Sequence, residues 1–119
     1  MAPYAVLVHE AGHAVVARLL GLGCHGYTQT DEAWLALLDW SPDARIRQAV
    51  LCGGAAAEIA VFGEVVASTN ALRGDLEEFH SWPEFLAAAQ QWAVKIDRQA
   101  LAQEISLARA QLNYQPAHW

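Results

Sequence analysis

The sequence has 119 residues, of which 55% are hydrophobic, and a formal net charge of −6. This length suits a single domain with its own core, and the apolar composition argues against a disordered chain. The scattered Lys and Arg residues and the acidic balance argue against nucleic acid as a partner, because phosphate binding needs a basic patch. Charged residues interrupt the long apolar runs, so we expect neither a signal peptide nor a membrane span. Two cysteines make no disulfide framework, which favours a cytoplasmic protein.

The most informative stretch is an H-E-x-x-H motif at residues 9–13, inside an apolar run that predicts a buried helix over residues 4–20. Residues four apart lie on the same face of a helix, so His9 and His13 can bind one metal ion. Glu10 lies where its carboxylate can take a proton from a water molecule activated by that metal. Three such side chains on a buried helix are costly unless they are paired, and Zn²⁺ would satisfy all three together.

Two elements are predicted after this helix. Residues 24–40 contain β-type residues around a central turn and predict a small antiparallel hairpin or sheet. Ser41 is predicted to cap a second helix over residues 42–62. Glycine inside a helix costs about 1 kcal/mol relative to alanine. The pair Gly53-Gly54 therefore predicts that another backbone, most simply that of the first helix, approaches closely.

The rest of the chain has a helical composition. A short helix is predicted over residues 71–81, and Ser81 then provides a second helix start with capping-box spacing. Residues 83–113 are predicted to be helical, either as one long arm or with a break near Asp97. Residues 114–119 are expected to form a tail.

Two histidines do not complete a catalytic zinc site, because such sites use three protein ligands and leave one position for water. The third ligand must come from elsewhere in the chain. The residues considered are Glu58, Asp75, His25, His80 and Asp39.

Several segments resemble the peptidase domain of the FtsH-type ATP-dependent zinc metalloproteases, over about residues 4–80. They are HEAGHA at 9–14, LCGGAAAE at 51–58, FGE at 62–64, ST at 68–69 and GDL at 74–76. The resemblance implies a mainly α, compact, zincin-like fold, with a small β-hairpin or short sheet between the first two helices. We expect a single domain over residues 1–119, with the zinc-site core in residues 1–82.

The resemblance also implies a ligand set and an activity. It assigns the zinc ligands to His9, His13 and Asp75 and the general base to Glu10. Glu58 would support the site, and we expect it to accept a hydrogen bond from a ligand histidine. Since the sequence contains no G-x-x-x-x-G-K-[ST] loop, the expected function is an ATP-independent zinc peptidase that cleaves short or unstructured polypeptides.

Two other functions remain open from the sequence. The chain could be a non-catalytic metal-binding domain with a regulatory or interaction role that retains the same scaffold. The apolar composition and the helical C-terminal part would also suit packing against a second copy or against a separate partner protein.

Overall fold

The computed structural model describes residues 2–31, 33–67 and 72–112. In these residues the chain forms four helices and a two-stranded antiparallel sheet, in the order α1 (Tyr4–Leu19), β1 (Cys24–Gln29), β2 (Trp34–Leu38), α2 (Ala44–Phe62), α3 (Trp82–Ala93) and α4 (Arg98–Leu112). The mainly helical fold, with a hairpin between the first two helices, confirms the coarse prediction. Within the described residues, no helix has the length and apolarity needed to cross a membrane.

Helix α1 forms the centre of the core because its sequence is apolar on nearly all sides. It packs against α2, α4 and the hairpin, and its residues from 7 to 17 are buried except Glu10. The buried carboxylate of Glu104 fixes the far side of the helix. It accepts hydrogen bonds from Arg18 Nε at 2.9 Å and from the Tyr27 hydroxyl at 2.8 Å. Two donors offset the cost of burying this charge and hold α4 and β1 against α1.

Helices α1 and α2 meet through glycine. A Cβ atom built on Gly12 would lie 2.3 Å from the carbonyl oxygen of Gly53, and a Cβ atom on Gly53 would lie 2.8 Å from the carbonyl oxygen of Gly12. No side chain fits at these distances. The predicted close approach of the two helices is therefore confirmed, and it places the histidine face of α1 directly against α2.

The start of α2 differs from the prediction that Ser41 caps it. Asp43 is the capping residue, and its Oδ1 accepts a hydrogen bond from the backbone N–H of Arg45 at 2.8 Å. Ser41 instead accepts a hydrogen bond from the N–H of Asp43 at 3.1 Å, which closes a turn just before the helix. The carboxylate thus takes the free helix N–H, and α2 begins two residues later than predicted. Gly63 ends it with φ of 82°, as the glycine predicts.

The prediction of a short helix over residues 71–81 is wrong for the described residues 72–81, which contain turns over residues 72–78 and no helix. The N–H of Leu76 bonds to the carbonyl of Leu72 at 3.1 Å, but that of Glu77 bonds to the carbonyl of Gly74 at 3.3 Å, so no regular helical ladder develops. Gly74 has a low helix propensity, and the carboxylate of Asp75 contacts His9 and His13 of α1. Residues 68–71 lie outside the described residues.

Of the two alternatives for the C-terminal helical region, one long arm or a break near Asp97, the structure has the break. Helix α3 ends at Ala93, and Asp97 Oδ1 accepts a hydrogen bond from the N–H of Gln99 at 2.9 Å at the start of α4. Ser81 caps α3 by accepting from the N–H of Glu84 at 3.2 Å. The predicted end at residue 113 and the tail at 114–119 lie outside the described residues.

Candidate metal centre

Three electron-rich atoms converge between α1 and the turn at residue 75. Asp75 Oδ2 lies 2.9 Å from His9 Nε2 and 3.3 Å from His13 Nε2, and the two Nε2 atoms are 3.1 Å apart. Zinc binds such atoms at about 2.0–2.1 Å, so two ligands at a tetrahedral angle stand about 3.3 Å apart. The three atoms are therefore spaced much like one face of a tetrahedral zinc site.

The hydrogen bonds of the two Nδ1 atoms determine whether each Nε2 atom carries a proton or a lone pair. His13 Nδ1 lies 2.7 Å from the carbonyl oxygen of Val50, and His9 Nδ1 lies 2.8 Å from Glu58 Oε2. Both oxygens accept hydrogen bonds, so each Nδ1 carries a proton and donates it. In the neutral rings both Nε2 atoms then carry lone pairs. The cluster with Asp75 therefore contains three acceptors and no donor, unless a cation or an added proton lies among them.

The electrostatics of the cluster favour positive charge. Burial lowers the pKa of His9, but the hydrogen bonds to Asp75 and Glu58 outweigh this effect and raise the pKa to about 10. Burial raises the pKa of the Asp75 carboxyl, but the neighbouring His13 and His9 hold it well below its usual range. These shifts favour a protonated His9 beside an ionised Asp75, so the same atoms form an ion pair when no metal cation is bound.

The carboxylate of Glu10 lies farther from the histidine nitrogens than that of Asp75. His9, Glu10 and His13 together could hold a metal ion, since their ligand atoms lie within 4.8 Å of one another. However, Glu10 Oε2 is 4.0 Å from His9 Nε2, farther than Asp75 Oδ2. Its other oxygen, Oε1, accepts a hydrogen bond from the N–H of Ala36 on β2 at 2.9 Å. The geometry therefore favours Asp75 as the third ligand and leaves Glu10 beside the cluster.

Glu58 lies behind His9, next to the cluster, and contributes none of the converging atoms. It is fully buried, and Oε1 accepts a hydrogen bond from the N–H of Val66 at 3.1 Å while Oε2 orients His9. A ligand histidine whose second nitrogen donates to a carboxylate is the usual arrangement around protein-bound zinc. Glu58 therefore connects His9 to the backbone of the segment that follows α2.

The remaining candidate ligands are not brought to the cluster. His25 Nε2 and Asp39 Oδ1 bond to each other at 2.6 Å on the exposed side of the hairpin. His80 is exposed, and its backbone N–H bonds to Glu84. None of these three side chains belongs to the metal cluster.

An open cavity with a volume of about 700 Å³ lies beside the cluster. Its lining residues come from β2 and the residue before it, from α1, from α2, from residues 66–67 and from the turn at residues 74–75. The apolar lining residues are Ala5, Val6, Ala33, Trp34, Leu35, Ala36, Leu38, Val50, Leu51, Val66 and Ala67. The cluster therefore faces a groove large enough for a few residues of a peptide.

Sequence reasoning missed the backbone contributions to this site. Ala36 donates its N–H to Glu10, Val50 accepts from His13, and Val66 donates to Glu58. Backbone groups are the same in every residue, so composition and motif spacing carry no signal for them. The sequence predicted the hairpin that contains Ala36, but not the contact of its backbone with Glu10.

No family model, curated protein or solved structure matches this chain. Any function of the candidate metal centre is therefore inferred from the side chains that form it. A cluster of two histidines and a glutamate can hold a metal, yet it also forms ion pairs, and by itself it does not establish a metalloprotease.

The two cysteines are free, and their environments predict different reactivity. Cys52 lies on α2 with no exposed surface, and burial raises the pKa of its thiol to about 12. Because the thiolate is the reactive form, iodoacetamide at mildly alkaline pH will modify Cys24 in the folded protein and leave Cys52 unmodified. Peptide mass spectrometry reads both sites, and concentrated guanidinium should make both react. Equal modification of both cysteines under native conditions would contradict the packing of α2 against α1.

Proposed function

We propose that this protein is a zinc-dependent peptidase with an FtsH peptidase-like, zincin-like fold that cleaves short or unstructured polypeptides without ATP. The observation that carries this proposal is the convergence of His9 Nε2, His13 Nε2 and Asp75 Oδ2 within 3.3 Å of one another, with Glu10 alongside. The chemistry of the donor set supports zinc, because imidazole and carboxylate are its usual ligands in catalytic sites.

His9, His13 and Asp75 would hold the ion. When bound in such a site, zinc lowers the pKa of water toward about 7 and polarises a carbonyl group. Glu10 acts as the general base that takes the proton from water and passes it to the leaving amine. The Ala36 N–H orients Glu10 through one oxygen and leaves the other directed toward the ligand cluster. Val50 and Glu58 keep the two histidines in the tautomer that presents Nε2.

The edge of β2 that faces away from β1 supports a peptide substrate, although Glu10 already accepts a hydrogen bond from the N–H of Ala36 on this edge. In an antiparallel pair, both backbone groups of a residue point toward the same side of the strand. The N–H of Ala36 points to Glu10, away from β1, so its carbonyl faces the cavity edge as well. By the same alternation, Trp34 and Leu38 also turn their backbone toward the cavity, which they line. A substrate in extended form can add to this edge and pass beside Glu10.

Removal and return of the metal tests the proposal. The zinc-loaded protein should hydrolyse an internally quenched, unstructured peptide, lose this activity on chelation, and regain it when zinc is added back. Fluorescence measures the rate, and mass spectrometry identifies the cleaved bond. Hydrolysis that continues unchanged in the chelator would contradict the proposal. Zinc binding without any hydrolysis would instead favour the non-catalytic metal-binding domain.

A further inference from the structure

The charged side chains that line the groove, apart from its histidines, are acidic. The charged side chains in its lining, apart from the histidines, are the carboxylates of Glu10, Glu58 and Asp75, and the described lining residues include no Lys or Arg. The carboxylates of Glu58 and Asp75 already balance the two charges of a divalent cation, and Glu10 adds a further negative charge. A carboxylate on a ligand that enters this groove would thus lose water without meeting net positive charge, which is unfavourable.

The rest of the lining is apolar and comes from four parts of the chain. Trp34, Leu35 and Leu38 line the groove from β2, Val6 from α1, Val50 from α2 and Val66 from the segment that follows α2. Apolar surface of this kind favours an uncharged side chain that is transferred from water. An aliphatic residue of a ligand fits these walls, whereas an acidic residue does not.

Trp34 is the largest of these wall residues, and its indole has an unused donor. Its Nε1 is buried and has no hydrogen-bond partner among the described residues. A buried N–H without an acceptor costs free energy that an added acceptor recovers. An extended peptide along β2 supplies a carbonyl group about every 3.3–3.4 Å, so it can provide such an acceptor whatever its sequence.

We propose that this groove selects an internal, apolar stretch of a polypeptide and disfavours acidic residues, with Trp34 as the residue that sets the preference. The proposal deepens the peptidase proposed above and rests on it for the identity of the ligand as a polypeptide. Trp34 determines specificity through its apolar ring and donates its Nε1–H to a peptide carbonyl. It takes no part in proton transfer.

Peptide binding to the zinc-loaded Glu10→Gln protein tests this preference without relying on turnover. The probes are two dye-labelled, end-blocked peptides that differ only in a central Leu or Glu, and fluorescence anisotropy gives each Kd. We expect the Leu peptide to bind at least about tenfold more tightly than the Glu peptide. Equal Kd values for the two peptides, or tighter binding of the Glu peptide, would overturn the proposal.

Variants of Trp34 separate the ring from its donor. Trp34→Ala should reduce the ratio of the Glu-peptide Kd to the Leu-peptide Kd at least about threefold, because it removes apolar surface from the wall of the groove. Trp34→Phe should weaken both peptides by a similar factor of about two to ten, because it removes the N–H and keeps a smaller aromatic ring in the wall. Trp40→Ala is the matched control, since Trp40 is 74% exposed and is not a lining residue. An unchanged preference in Trp34→Ala would exclude Trp34 as the determinant.

The same measurements distinguish this proposal from the peptidase itself. If the zinc-loaded wild type cleaves no peptide but the Glu10→Gln protein still prefers the Leu peptide, the peptidase is wrong and the groove assignment stands. If the wild type cleaves both peptides with equal kcat/KM and Glu10→Gln binds them equally, the peptidase stands and the groove assignment is wrong.

Discussion

The Glu10→Gln protein should bind zinc as the wild type does and hydrolyse peptides about 10²–10⁴-fold more slowly, because an amide cannot accept the proton from water. The substitution keeps the size of the side chain and an oxygen that can accept from the Ala36 N–H. Zinc content by elemental analysis and kcat/KM with a quenched peptide give the two results. The loss should appear in kcat, since the groove walls are unchanged.

The control for this variant is Glu77→Gln, which makes the same chemical change on an exposed side chain. It should retain the wild-type kcat/KM. If Glu10→Gln also cleaves at the wild-type rate, then Glu10 is not the base. If Glu10→Gln loses its zinc, Glu10 is a ligand and the assignment of Asp75 needs revision.

Gly54→Ala should lower the affinity for zinc by at least about 10–100-fold, although position 54 contains no ligand atom. A Cβ atom at Gly54 would lie 2.5 Å from Cε1 and 2.6 Å from Nε2 of the His9 ring. The ring must move, and it would then lose its contacts with Glu58 and Asp75. Competition with a chromophoric zinc chelator measures the change in Kd.

Gly74→Ala is the control for this second variant. A Cβ atom there meets nothing within 4 Å, although the residue directly precedes Asp75 and lines the same cavity. It should bind zinc with an affinity close to that of the wild type. If Gly54→Ala binds equally well, the His9 ring does not lie against α2 as described.

The parts of the fold that follow from local signals could be predicted from the sequence. Helix α1 follows from its apolar run and the end of α2 from Gly63, whereas a break near Asp97 was one of two alternatives for the C-terminal helices. The close contact of α1 with α2 followed from Gly53 and Gly54, because glycine inside a helix needs a compensating contact. These elements depend on residues that are close together in the sequence.

The predictions failed where the local structure depends on contacts with residues that are distant in the sequence or on a choice between neighbouring residues. A short helix was predicted around Asp75, but its carboxylate bonds to histidines 62 and 66 positions earlier in the chain, and the segment forms turns. The capping residue of α2 was assigned to Ser41 because the sequence cannot rank it against Asp43, two positions later. The backbone partners of Glu10 and His13 carry no side-chain signal at all.

Within the candidate site, the sequence could predict the motif but not its completion. His9, Glu10 and His13 follow from helical spacing alone, because the fourth residue returns to the same face. Five residues were open as the third ligand until the resemblance favoured Asp75. The structure brings Asp75 to both histidines and leaves His25, Asp39 and His80 elsewhere, whereas Glu58 lies behind His9.

Zinc stoichiometry tests the metal centre most directly. Elemental analysis and native mass spectrometry of the wild type should show about one zinc ion per chain, and His13→Ala and Asp75→Ala should each lose it. His80→Ala, which removes an exposed histidine outside the cluster, should retain it. If the wild type binds no zinc, or if Asp75→Ala retains the ion as firmly as the wild type, the three-ligand site is contradicted.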